Sequence, residues 1–318
     1  MSAVSGPPKD PVASRSRRPP LERLLFRRRF YLQLARIVLG GRRGGTFVSL
    51  MGGLGDLITA FPSIETLAAR GPLDMGTGAP PYRTLVEANP HVRRVYAPFV
   101  YKPARAAHRR LIARVLRGVY DRVVLLDGAD ARWWERGRHL VATYAEACGV
   151  PAPPHGAVYL RPEDHDAAAT RLRTLGIGEF VYVVQLVRRR RRFRSWPLAH
   201  YHALYAALRE RTALPIVVDT TGSDETALPS FCVPLGRLPI LPACAAVARA
   251  ALFIGPDTGL THAAGALGVR TVAIHVGFPA ESCAALGPQV EVVAQREPFA
   301  DPALTTPAEV LAAVDRLL

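Results

Sequence analysis

The stretch FIGPDTGLTHAAGALGVRTVAIH, Phe253 to His275, decides how the rest of the chain is read. It opens on a short apolar run and turns a polar corner at Asp257, Thr258 and Gly259. It then continues through small residues and closes on a second apolar run. Short apolar runs bounded by Gly and Pro read as buried strands, and the segment between them reads as a helix. The first backbone N–H groups of such a helix, at Thr258, Gly259 and Leu260, have no intrahelical partner. They suit phosphate oxygens, with hydroxyls at Thr258 and Thr261 and the imidazole of His262 one turn on. A plainer reading makes Asp257 an N-cap and His262 a hydrogen-bonded core histidine. The clustering of these residue types at one strand end favours the phosphate pocket.

Working outward, the same texture recurs. TFVSL, DRVVLLDG, EFVYVVQL, LPIVVD and LFIG read as strands, as do VRRVYAP and TVAIHV. GDLITAFPSIETLAAR, AHRRLIARVLRG, GRHLVATYAEACGV, LAHYHALYAALRE, LPACAAVARAA and TPAEVLAAVDRLL read as helices. Alternating strands and helices predict parallel sheets flanked by helices. The proline-rich PAPPHGAVYL divides the pattern into two halves. The expectation is therefore an α/β chain of two Rossmann-like domains, over 45–155 and 156–318, facing a central cleft at the carboxyl ends of the strands. A chain of 318 residues is long enough for two cores.

Three other stretches carry chemistry at strand ends. In SLMGGLGDLITAFPSIETL, Gly52, Gly53 and Gly55 turn the chain and a helix is expected to begin at Asp56. Asp56 reads either as an N-cap or as a general base for a hydroxyl nucleophile. In VRRRRRFRSWP an arginine run follows a strand, where a phosphate would sit; arginine forks bind phosphate oxygens bidentately. Such a run also suits a solvated loop, and the sequence leaves open whether Arg188 to Arg192 touch a ligand. In DTTGSDETA, Asp224 and Glu225 read as ribose acceptors or as the start of a capped helix.

The net charge of +15 points to an anionic partner. Residues 1–44 carry ten Arg and Lys9 against Asp10 and Glu22, so this extension supplies net +9. Residues 1–20 are expected to be disordered. LERLLFRRRFYLQLARIVLG, within the basic stretch 15–43, reads as a helix for an anionic membrane surface or as one docked on the protein. No apolar run reaches the roughly 18 residues of a spanning helix. Cys148, Cys232, Cys244 and Cys283 form no CxxC pair, so reduced, buried thiols in a cytoplasmic protein are expected.

Taken in order, these stretches resemble glycosyltransferase family 9, the lipopolysaccharide heptosyltransferase type. GDLITAFPSI matches the family's GDvlhtlPal pattern, RSWP its K.WP, and PDTGLTHAAGAL its nDSGpmHlAaAl. The resemblance covers about residues 45–318. It implies a GT-B fold, a nucleotide-diphosphate sugar as donor substrate, inverting transfer and no obligatory metal or other cofactor. It makes Asp56 the general base and places Arg194 where the family has a phosphate-binding lysine. Asp257, Thr258, Gly259, Leu260 and His262 become donor-site residues, and Glu225 the ribose carboxylate. The implied acceptor is a glycolipid or polysaccharide, with heptose among the candidate sugars and the inner membrane face as the place of work. HVGFPAES replaces the family's fGptdP-like loop, and the basic extension has no counterpart in the family core. Two other readings compete: a non-catalytic nucleotide-binding protein of the same fold, and a nucleic-acid binder. No nucleic-acid-binding motif is present, so no nucleic acid is expected.

Overall fold

The computed structural model describes residues 20–40, 44–78, 80–101, 106–127 and 133–318. The expectation of disorder in the first residues falls, for 1–19, outside the described ones. Helix α1 (Pro20–Gly40) precedes β1 (Thr46–Leu50), α2 (Leu54–Ala68), β2 (Leu73–Thr77), α3 (Arg83–Glu87), β3 (Arg94–Tyr96), α4 (Ala106–Arg117), β4 (Arg122–Leu125) and α5 (Leu140–Cys148). The second half runs α6 (Pro162–Thr174), β5 (Val181–Val184), α7 (Leu198–Arg211), β6 (Ile216–Asp219), β7 (Cys232–Pro234) and α8 (Ile240–Val247). It continues through β8 (Leu252–Pro256), α9 (Gly259–Ala266), β9 (Thr271–His275), α10 (Ala280–Cys283), β10 (Val290–Ala294) and α11 (Pro307–Leu317).

Two all-parallel sheets result, ordered β3-β2-β1-β4 and β10-β9-β8-β5-β6-β7. Both faces of each sheet are covered, as parallel sheets require. In β1, Val48 and Leu50 face one core while Phe47 faces the other; in β5, Val181 and Val183 alternate in the same way with Tyr182 and Val184. Each sheet reverses its winding once. The first does so between β1 and β4, the second between β5 and β8. Such reversals leave a crevice beyond the carboxyl ends of the two strands. Three of these four strands, β1, β5 and β8, end in sequence stretches singled out above.

Strands β2, β7 and β10 and helix α6 escape the sequence pattern. LDMGT carries an acid and a glycine in five residues and becomes a strand because tertiary burial covers all of it. Trp196 of the RSWP stretch is fully buried and donates its indole N–H to the Thr305 carbonyl at 2.7 Å. It thereby ties the start of α7 to the segment leading into α11. Helix α1 docks on the first half through Phe30 and Ile37, both buried, with the Phe30 ring 5.1 Å from that of Phe99. Its opposite side leaves Tyr31, Leu32, Val38 and Leu39 exposed, beside exposed Arg28, Arg29 and Arg36. Among the described residues, no helix is long and apolar enough to cross a membrane.

Candidate active site

A cavity of about 810 Å³ lies between the two sheets, lined by the loops after β1, β4, β5 and β8. Asp56 stands in the first of these. Helix α2 begins at Leu54, two residues before the expected start, so Asp56 occupies the third helical position rather than the N-cap. One carboxylate oxygen accepts the Gly53 backbone N–H at 2.7 Å; the other accepts the Tyr144 hydroxyl at 3.0 Å. Tyr144 comes from α5 and is buried, its hydroxyl pushed well above the usual range first by burial and then by the Asp56 charge. It stays a hydrogen-bond donor at neutral pH. Asp56 is therefore oriented by two neutral donors, and each of its oxygens keeps a lone pair for the cavity.

The glycines here make room for protein atoms. A Cβ on Gly52 would lie 2.4 Å from Asp56 Cβ, and one on Gly55 would lie 2.8 Å from the His262 ring. On the other side of the cleft, a Cβ on Gly259 would meet Leu54 Cβ at 2.4 Å. The amino ends of α2 and α9 thus meet across the cleft because a glycine of each helix receives a side chain of the other, Gly259 that of Leu54 and Gly55 that of His262.

Asp257 follows β8. Its carboxylate is hydrogen-bonded to Arg194 and lies 3.7 Å from His262 Nε2. Burial opposes ionisation, but His262 and the Arg194 charge outweigh it and hold the carboxyl well below the usual carboxylate range. Arg194 is seated further by the Phe278 ring, 5.1 Å from its guanidinium carbon, and by Gly277, where a Cβ would lie 2.6 Å from Arg194 Cγ. A guanidinium has five N–H donors, so one carboxylate does not exhaust it. The N-cap of α9 is Thr258, not Asp257, and it makes no side-chain cap. The amino end of α9 therefore opens to the cavity, where Asp257, Thr258, Gly259 and His262 line the wall.

Some expected residues stand elsewhere. Thr261 does not offer a hydroxyl to a ligand: it is buried and bonds the Pro256 carbonyl at 2.5 Å. The Leu260 side chain packs beneath the site in the second core. Glu225 lies outside the cavity lining, in the loop between β6 and β7, where its carbonyl accepts from Gln185 and Ser223. No helix starts there.

The structure adds residues the sequence reading missed. Asp127, just past β4, accepts Ser49 Oγ at 2.6 Å, Tyr101 Oη at 2.9 Å and the Met51 N–H, and so braces the glycine turn. Burial pushes its carboxyl up against these bonds. Its signal was available: an acid closing an apolar strand, as at the other cleft corners. His139 caps α5 through Nδ1 and reaches Ala284 of the second half through Nε2 at 2.9 Å. Trp134 stacks near Phe278, 5.2 Å between centroids, and its carbonyl accepts from Ser282.

Asp257, His275 and Cys283 each present one donor atom, all within 4.8 Å of one another. Burial pushes the Cys283 thiol up, and the Asp257 charge pushes it further. His275 is pushed down, burial first, and its Nε2 bonds the Phe278 carbonyl at 3.1 Å. Asp257 is engaged by Arg194, and the Cys283 Sγ lies 3.9 Å from His275 Nε2, its thiol keeping its proton.

The sequence model of glycosyltransferase family 9 (heptosyltransferase) matches residues 119–306, more than half of the chain. The chain belongs to glycosyltransferase family 9. It is a glycosyltransferase. No curated protein sequence matches it. Solved structures share its fold over most of their length. The glycosyl transferase family 9 of Veillonella parvula is 14% identical with a TM-score of 0.65, covering 86% of this chain and 97% of that one. The E. coli ADP-heptose lps heptosyltransferase II is 17% identical with a TM-score of 0.62, covering 86% and 98%. The E. coli heptosyltransferase WaaC with ADP is 15% identical with a TM-score of 0.58, covering 86% and 99%. Such similarity supports the GT-B arrangement of two Rossmann-like halves.

Proposed function

We propose that this glycosyltransferase moves a sugar, with inversion, from a nucleotide-diphosphate sugar to a hydroxyl of a glycolipid or polysaccharide acceptor such as lipopolysaccharide. The observation that carries the reading is the juxtaposition in one cavity of an oriented carboxylate, Asp56, and an open helix end flanked by Arg194 and His262. Asp56 takes the acceptor hydroxyl proton as that oxygen bonds to the anomeric carbon. The bond from that carbon to the diphosphate breaks, and negative charge grows on the leaving phosphate. The backbone N–H groups of Thr258 and Gly259, the free donors of Arg194 and the His262 ring receive it. These cations and dipoles serve without a metal in the step. Heptose is the leading sugar, because two of the structures of like fold are named as heptosyltransferases. The apolar, arginine-flanked outer side of α1 would rest on the anionic inner membrane surface, where such acceptors lie.

Calorimetric titration with ADP, UDP, GDP and CDP tests the donor site. One diphosphate is expected to bind preferentially, at least about tenfold more weakly in Asp257→Ala. Absence of binding by all four would sink the reading.

A further inference from the structure

The arginine run after β5 folds as 3₁₀ turns over Arg189–Arg194, interrupted at Arg191. Three residues per turn bring every third side chain to one side. With Arg188 extended ahead of the turns and Arg191 at the kink between them, Arg188, Arg191 and Arg194 line the cavity, while Arg189, Arg190 and Arg192 do not. Only Arg194 has an acidic partner: among the described residues, no carboxylate lies within ion-pair distance of the Arg188 or Arg191 guanidinium. The acids of the cavity are engaged otherwise, Asp56 by Gly53 and Tyr144, Asp127 by Ser49, Met51 and Tyr101. Asp224 accepts the Arg189 backbone N–H at 2.7 Å, and its charge offsets only part of the repulsion that Arg188 feels from Arg191 and Arg194.

The three arginines are spread across the sheet. Arg194 is tied to the corner after β8. An Arg188 Nη atom lies 3.7 Å from where a side chain on Gly222, after β6, would begin. Strands β8 and β6 flank β5 on opposite sides, so these anchor points are two strand spacings apart, roughly 10 Å. Like charges held together at the rim of the cavity repel; Arg188 is pushed down by partial burial and by the charges of Arg191 and Arg194. An anion bridging Arg188 and Arg191 relieves this. Both side chains are exposed to the cavity and free to fork around it.

We infer that Arg188 and Arg191 form a second anion subsite, separate from the donor diphosphate position at Arg194 and α9, which holds a phosphate or carboxylate carried by the sugar acceptor. This rests on the reading of the cleft as a nucleotide-sugar site. It accounts for a run of arginines that donor binding alone does not need, and it selects acceptors with an acidic group near the hydroxyl that is glycosylated.

Two titrations on wild type, Arg188→Gln/Arg191→Gln and Arg194→Gln test it. The first uses the tightest binder among ADP, UDP, GDP and CDP. Its affinity is expected to stay within about twofold in the double variant and to fall at least about tenfold in Arg194→Gln. The second adds inorganic phosphate to protein saturated with that diphosphate. Wild type is expected to take up phosphate, and the double variant to bind it at least about tenfold more weakly. The inference is overturned if the double variant loses diphosphate affinity as Arg194→Gln does, since the stripe then belongs to the donor site. It is equally overturned if wild type takes up no phosphate. If none of the diphosphates binds, the donor reading fails on its own. The phosphate titration is then made on nucleotide-free protein, where dependence on Arg188 and Arg191 still upholds or overturns the subsite.

Discussion

Asp56 and Asp257 stand on opposite sides of the winding reversal in their two halves, Asp56 after the first strand of its sheet, β1, and Asp257 after β8, across the reversal from β5. Each follows a strand that borders the reversal, and each precedes or opens a helix pointing into the cleft. Their surroundings differ. Asp56 meets only neutral donors, a backbone N–H and a tyrosine hydroxyl. Asp257 is buried between a guanidinium and an imidazole. The first is free to accept a proton from a substrate; the second is held as a permanent anion that seats Arg194. Topology selects where a carboxylate stands, and its neighbours select what it does.

The sharpest way to break this contrast is Asp56→Asn. Transfer from donor to acceptor is expected to fall at least about 100-fold, with diphosphate binding changed by less than about twofold. An unaltered rate would remove Asp56 from the chemistry. Asp257→Ala should act on the scaffold instead. It leaves Arg194 beside Phe278 without its carboxylate, and a loss of about 2 kcal/mol is expected in urea unfolding, below the fully buried limit because Arg194 is partly solvated. Equal stability of Asp56→Asn and Asp257→Ala would erase the distinction.

The second half and the seam also carry the pH response. His275 is held below its free value of 6.5, and so is His139 at the seam. Below about pH 6.5 the unfolded chain therefore binds more protons than the folded one, and stability falls as pH falls. The loss one pH unit below the free value is expected to be at most about 1.4 kcal/mol per histidine. Unfolding midpoints between pH 7.5 and 5.5 measure it, and His275→Gln should flatten the slope. The smallest effect is reserved for Tyr144→Phe, which keeps the ring in its core and removes one bond to Asp56. Transfer is expected to slow about two- to tenfold without loss of donor affinity; an unchanged rate would show that the Gly53 N–H alone orients the carboxylate.

The sequence made the cleft legible from one side at a time. The corner at Asp257 to His262 could be read because an apolar strand, a proline, a glycine and a small-residue helix lie within a few residues of one another. Asp56 could be placed at a strand end, yet its partner Tyr144 is 88 residues away, and Asp127 reaches Ser49 and Met51 over 78 and 76. Pairings of that length leave no periodic trace. Strand β2 escaped because burial, not propensity, makes it a strand, and Thr261 misled because its hydroxyl turns back onto its own corner. The arginine run could be placed at a strand end but not sorted. Which of its residues face the cavity depends on a three-residue turn that the repeated letter conceals.

Trp134 of the first half packs against Phe278 of the second, and the same Phe278 ring seats Arg194. The seam that joins the two halves is thereby also the wall that steadies Arg194, the cation proposed to face the leaving group. Drawing the halves apart would strip that wall away in the same movement. On the proposed role of Arg194, grip on the spent nucleotide and closure of the molecule are in this way geared together: parting the halves would loosen Arg194 as well.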